Sequence, residues 1–212
     1  MNKLKALIGI ACLVFATLAG AQELREGRDY TVLNPAQATE AKGKIEVTEF
    51  FWYGCSHCFD FEPLLQKWLK TMPKDVVFRR VPALFPGGKW LTDTKTYYTL
   101  EAMGLVEKMH QEVFDATHID RTRLNDEATL FAWMEKKGVD RKKFEDTFRS
   151  FAIQSKAQRS MQLSQAHGLD GVPALVVQGK YKPAAGATGS YGDVLVTLDK
   201  LIAKVRAEQG KK

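Results

Sequence analysis

A chain of 212 residues that is 45% hydrophobic and 26% charged can bury one good core, or one core with a sizeable insertion, and its composition excludes a disordered chain. The formal charge of +6 comes from 31 Lys and Arg mixed among 25 Asp and Glu. No basic block of the kind that holds nucleic acid is present, so the charges read as solvated faces.

Residues 1–21 read as a secretory signal that is cleaved: Lys3 and Lys5, an apolar run over 6–18, and Ala19-Gly20-Ala21 as a small-residue cleavage site. An uncleaved anchor is the alternative, but the run is short for a span of about 20 residues. Cleavage removes two lysines and Cys12, which lowers the formal charge from +6 to +4 and leaves Cys55 and Cys58 as the only cysteines. A bridge across so short a loop restrains the unfolded chain little, so the pair is better explained by chemistry than by stapling.

After a polar stretch with a short strand at 30–33, ended by Pro35, the alternation over 45–51 predicts a strand with Ile45, Val47, Glu49 and Phe51 on one face. Glu49 is then either partly buried, with a raised pKa, or exposed at an edge, and the residues leave both open. Gly54 breaks the run, and apolar residues at helical spacing predict a helix over 55–72, kinked at Pro63. Cys55-Ser56-His57-Cys58 therefore stands at a helix N-terminus, where free N–H groups and the helix dipole stabilise an anion such as a thiolate. Cys55 is the candidate nucleophile, and Cys58, one turn on, can close a disulfide with it. His57, if protonated, adds a second stabilising charge. Zinc would need two further ligands, and the chain offers neither a second C-x-x-C nor a close pair among His110, His118 and His167. An inert structural bridge is the other bland reading.

A strand over 76–81 completes a β-α-β unit, which implies a parallel pair. Five amphipathic segments follow, at 91–103, 105–117, 126–137, 140–148 and 151–167, with Phe114, Phe131, Trp133, Phe144 and Phe148 as core candidates. No glycine-rich phosphate loop accompanies them, and neither a cofactor nor a metal is expected. Strands return at 174–178 and 181–182, joined by a Gly-X hairpin turn at Gly179-Lys180, and an amphipathic helix over 191–207 closes the chain. Gly171-Val172-Pro173 stands before that hairpin, where a cis X-Pro bond is tolerated.

The strand, Cys55-Ser56-His57-Cys58 at a helix start and Val172-Pro173 before a hairpin and last helix together resemble the thioredoxin superfamily. The helical insertion, the C-x-H-C motif, the Glu49-Phe50-Phe51 run and the export signal narrow the resemblance to the DsbA family of periplasmic thiol:disulfide oxidoreductases. It implies an α/β thioredoxin-like fold, a central mixed sheet flanked by helices and interrupted by an all-α domain. The expected boundaries are 22–86 and 169–212 for the two parts of the thioredoxin-like domain and 87–168 for the insertion. By the same resemblance, Cys55 is the exposed sulfur that forms mixed disulfides, Cys58 resolves them, and Glu49 is a buried acid that aids proton transfer to Cys58. Pro173 is the cis-proline facing the site, and the Val172 backbone pairs with an extended substrate segment.

The expected partners are unfolded or reduced exported proteins and a quinone-linked membrane oxidase that regenerates the disulfide in a Gram-negative periplasm. Membrane contact runs only through that partner, and the protein is expected to be a monomer. Ser56 departs from the proline common between the cysteines, which leaves the redox potential open. Two other readings stand: a disulfide reductase or isomerase, and a non-catalytic peptide-binding chaperone module that uses Phe51, Trp52, Tyr53 and the Val172-Pro173 edge.

Overall fold

The computed structural model describes residues 23–184 and 190–210, so the expected signal segment and the Lys211-Lys212 tail lie outside the described residues. In chain order the elements are β1 (Tyr30–Val32), β2 (Ile45–Phe51), α1 (Ser56–Leu69), β3 (Val76–Pro82), α2 (Leu91–Ala102), α3 (Val106–His118), α4 (Glu127–Lys136), α5 (Arg141–Phe148), α6 (Phe151–Ala166), β4 (Ala174–Val177), β5 (Tyr181–Pro183) and α7 (Tyr191–Gln209). The helix α1 runs through Pro63.

The strands form one mixed sheet in the order β1-β5-β4-β2-β3, with β2 and β3 parallel and the other neighbours antiparallel. All seven residues of β2 are buried, because the strand is central and both of its faces are covered. On one face Ile45 and Val47 pack with Phe61 and Leu65 of α1 and Leu198 and Leu201 of α7. On the other, Phe50 packs with Val176 and with Leu163 of α6. The Trp68 indole donates to Asp199 at 2.8 Å and ties α1 to α7.

The helices α2 to α6 lie between β3 and β4 in the chain and enclose an aromatic core of Phe114, Phe131, Phe144 and Phe148, with Trp133 only partly buried against it. Asp126, Asp140 and Ser150 start α4, α5 and α6 by accepting the backbone N–H of Thr129, Lys143 and Ile153. Phe51 and Tyr53, at and just past the end of β2, plug into this helical core. The strand that leads to the cysteines is thereby seated in both halves of the molecule.

The hairpin turn differs from the expected Gly179-Lys180 by one residue. Its two left-handed positions are Gln178 and Gly179, with φ of 53° and 60°, and Lys180 N–H donates to the Val177 carbonyl at 3.0 Å. Left-handed geometry at both central positions matches the twist of the flanking strands. The cost at the non-glycine residue is offset locally, since Gln178 N–H donates to the Glu46 carbonyl at 2.7 Å and its side chain accepts from Glu46 N–H at 3.1 Å.

Candidate active site

Cys55 is the N-cap of α1, with extended backbone (φ −88°, ψ 115°), and its sulfur accepts the Cys58 N–H at 3.4 Å. Its own N–H donates back to the Trp52 carbonyl at 3.0 Å, which closes the turn into the helix. Glycine is needed at position 54 because the Trp52 ring folds over it, and a Cβ there would lie 2.3 Å from Cζ2. The half-buried Cys55 thiol is pulled down to about 6, first by the Cys58 thiol that donates to it. Burial opposes this, while the N–H groups of Cys58 and His57 and the His57 charge assist. Cys58 is 1% exposed, and burial pushes its thiol far above the ordinary range. Two sulfurs in one turn of helix thus differ in both access and acidity.

Glu49 is 1% exposed, which decides between its two readings in favour of burial. The parallel register pairs Glu49 with Arg80, so the two side chains leave the sheet on the same face. The Arg80 side chain is 11% exposed, and its guanidinium donates to Glu62 Oε1 at 2.7 Å. Its Nε lies 3.1 Å from Glu49 Oε2 without forming a hydrogen bond, and both atoms are left without one. One cation cannot neutralise two buried carboxylates, so their proton affinities are pushed apart. Burial drives Glu49 up to about 8, with Arg80 opposing and Glu62 adding to the rise. Glu62 goes the other way: burial resists, but His110, Arg80 and Gln66 outweigh it and hold the carboxyl below its usual value. Cys58 lies close enough to Glu49 for a charge there to raise its thiol further.

The Val172–Pro173 peptide is cis, and the Cys55 thiol donates to the Val172 carbonyl at 3.3 Å. Beside them opens a cavity of about 780 Å³, lined among others by exposed His57, Phe61, Val172, Pro173, Tyr191 and Val194. The fold therefore gathers Cys55, His57, Cys58, Val172 and Pro173 at one end of the sheet, with Glu49 buried within reach of Cys58's field. Among the described residues no cluster of His, Cys, Asp and Glu suited to a metal is present, and no helix is long and apolar enough to cross a membrane.

Several site residues were not legible in the sequence. His110 Nδ1 pairs with the Tyr53 hydroxyl at 2.9 Å, and His118 Nε2 with the Tyr53 carbonyl at 2.8 Å. Burial lowers the His110 pKa, and in the neutral ring with its proton on Nε2 the Tyr53 hydroxyl donates to Nδ1. The signal available was the spacing His110-Phe114-His118, which sets all three on one helical face. Phe51 and Tyr53 are each 1% exposed, so they cannot form the peptide-holding aromatic surface that a chaperone module would need.

A model of the DSBA-like thioredoxin domain matches residues 46–191. The thiol:disulfide interchange protein DsbA of Pseudomonas aeruginosa is 39% identical over 208 residues, 98% of each chain. Its counterpart from Bordetella parapertussis is 39% identical over 202 residues, 94% of this chain and 96% of that one. The crystal structure of Pseudomonas aeruginosa DsbA superposes with a TM-score of 0.84 at 39% identity, covering 91% of this chain and 99% of its own. That of the oxidoreductase DsbA from Xylella fastidiosa gives 0.80 at 28% identity, covering 87% and 98%. With a cysteine pair of this geometry inside a family match that spans most of its length, the chain belongs to the DSBA-like thioredoxin family and is a thiol:disulfide oxidoreductase.

Proposed function

We propose that this protein is a periplasmic dithiol oxidase that passes a Cys55–Cys58 disulfide to newly exported proteins and is then reoxidised by a quinone-linked membrane oxidase. The observation that carries this reading is the inequality of the two sulfurs: Cys55 half-buried and drawn down to about 6, Cys58 buried and pushed up. A client thiolate attacks the accessible Cys55 sulfur, the bond to Cys58 breaks, and Cys58 leaves as a thiolate that takes a proton. Glu49, kept protonated by burial to about pH 8, is the source of that proton. A second client thiolate then attacks the client sulfur of the mixed disulfide, and Cys55 leaves with the electron pair. Its low pKa makes it a good leaving group, which favours release of an oxidised client. Two client thiols become one disulfide, and the protein keeps the two electrons until its partner removes them.

The cavity beside Val172 and Pro173, with its apolar wall of Phe61, Tyr191 and Val194, supports binding of an extended client segment next to Cys55. Export rests on residues 1–21 and places the monomer in a Gram-negative periplasm, touching the membrane only through its partner. A Cys58→Ser variant incubated with a client joined by disulfide to a small-thiol leaving group tests the reading. The expected result is a mixed disulfide on Cys55, together with net oxidation of a reduced client peptide by the oxidised wild type. Net reduction of clients in a glutathione buffer would favour the reductase or isomerase instead. A Cys55→Ala variant with full effect on clients would favour a binding module.

A further inference from the structure

The turn that presents Cys55 is held from the helical block by three hydrogen bonds, to Trp52 on one side and to Tyr53 on the other. Asp93, buried in the first turn of α2, accepts the Trp52 indole N–H at 2.6 Å. The indole is stacked at 4.3 Å and 6° on Trp90, the residue that opens α2, and its other contact is the space above Gly54 that no side chain could share. The Trp52 carbonyl then receives the Cys55 N–H. From the opposite side, α3 reaches Tyr53 at both of its ends. A carbonyl only accepts, so His118 Nε2 carries a proton and donates it to the Tyr53 carbonyl, while its ring stacks on Phe59 at 5.0 Å.

We propose that Asp93 and His118 are positioning residues for disulfide exchange: they clamp Trp52 and Tyr53 from two helices and so fix the Cys55 sulfur against the free N–H groups at the start of α1. Each acts through a residue of the turn. The bond they protect is the one from Cys58 N–H to the Cys55 sulfur, at 3.4 Å. Its strength depends on where the turn delivers that sulfur, because hydrogen bonds weaken steeply as distance and angle depart from their optimum. The helical block, which contributes neither cysteine, thereby sets the reactivity of the pair. This rests on the assignment of Cys55 as the sulfur that exchanges with clients.

The test is a pH titration of the Cys55 thiolate by its ultraviolet absorbance in the reduced protein, with the wild type and its variants in parallel. Asp93→Ala and His118→Ala should each raise the midpoint by about half a unit to one unit, a three- to tenfold loss of thiolate below it. Removing a negative charge alone would lower the midpoint, so an upward shift for Asp93→Ala reports geometry. Asp93→Asn, which keeps an acceptor but loses the charge, should leave the midpoint at or below the wild-type value, and His118→Gln, which can still donate, should restore the wild-type curve. Trp52→Phe severs the Asp93 bond from its other end and should reproduce the upward shift even if Asp93→Ala does not fold. Ser160→Ala, which removes a 2.7 Å bond to Tyr98 elsewhere in the helical block, should lower stability and leave the curve in place. The clamp is overturned if the alanine variants lose stability with an unmoved midpoint, if Ser160→Ala moves it equally, or if the conservative variants raise it as the alanine variants do. A wild type with no thiol titrating below the ordinary range would instead overturn the assignment of Cys55.

Discussion

Raising the pH from 4 to 8 should stabilise the reduced protein relative to the oxidised one, because only the reduced form holds a thiolate. The Cys55 thiol is drawn from an ordinary 9.0 to about 6. The folded form thus releases its proton near pH 6, whereas the unfolded chain keeps it until about pH 9. This stabilisation is fully present above the unfolded value and disappears as the pH falls through the folded one. Integrated to pH 8 it amounts to about 2.6 kcal/mol, against almost nothing at pH 4. The sulfur is only half-buried, and solvent screening reduces the figure to roughly half, about 1.3 kcal/mol. Closing the short ring favours the oxidised form through loop entropy, but that contribution does not change with pH. Groups common to both forms, such as Asp93, cancel to first order. Guanidinium unfolding of the two forms at pH 4, 6 and 8 measures the gap directly. A gap that stays constant, or that moves towards the oxidised form as pH rises, would refute the thiolate as its cause.

In the reduced protein at about pH 6, Cys55 should alkylate on the order of 100-fold or more faster than Cys58, from thiolate fraction and access together. Mass spectrometry after brief iodoacetamide treatment reads this, and equal labelling would sink the assignment. Glu49, protonated in the fold up to about 8, binds a proton that the unfolded chain has already lost above about 4.5, so this group lowers stability progressively as pH rises between those values. Glu49→Gln should therefore be more stable than the wild type at pH 8, on the order of 1–3 kcal/mol, with the difference vanishing near pH 4. The same variant should slow the reaction at Cys58 while Cys55 alkylates normally. Arg80→Met strips the buried Glu62 carboxylate of its cation and should cost about 3–5 kcal/mol in denaturant unfolding, and adding Glu62→Gln should recover part of that loss.

The order and type of the elements were legible because their signals are local. Alternation over Ile45–Phe51, the break at Gly54 and the helical spacing after Cys55 all lie within a few residues of what they specify. Local too are the chemical consequences of a cysteine at a helix start and of a proline placed to open a strand. The hairpin turn was misplaced by one residue because the glycine alone does not say whether its left-handed partner precedes or follows it. Glu49 marks where local reading ends, since alternation assigned its face and could not say what covered that face. Its pairing with Arg80 comes from the β2–β3 register, and its sharing of that cation with Glu62 comes from how α1 crosses the sheet. Tyr53 meets His110 and His118 across 57 and 65 residues, and Trp52 meets Asp93 across 41. The sequence by itself determined that the two sulfurs stand one turn apart at the start of a helix. Only the tertiary structure decided which of two carboxylates keeps its proton and what holds the turn, because burial and long-range register set those free energies and neither is written in neighbouring residues.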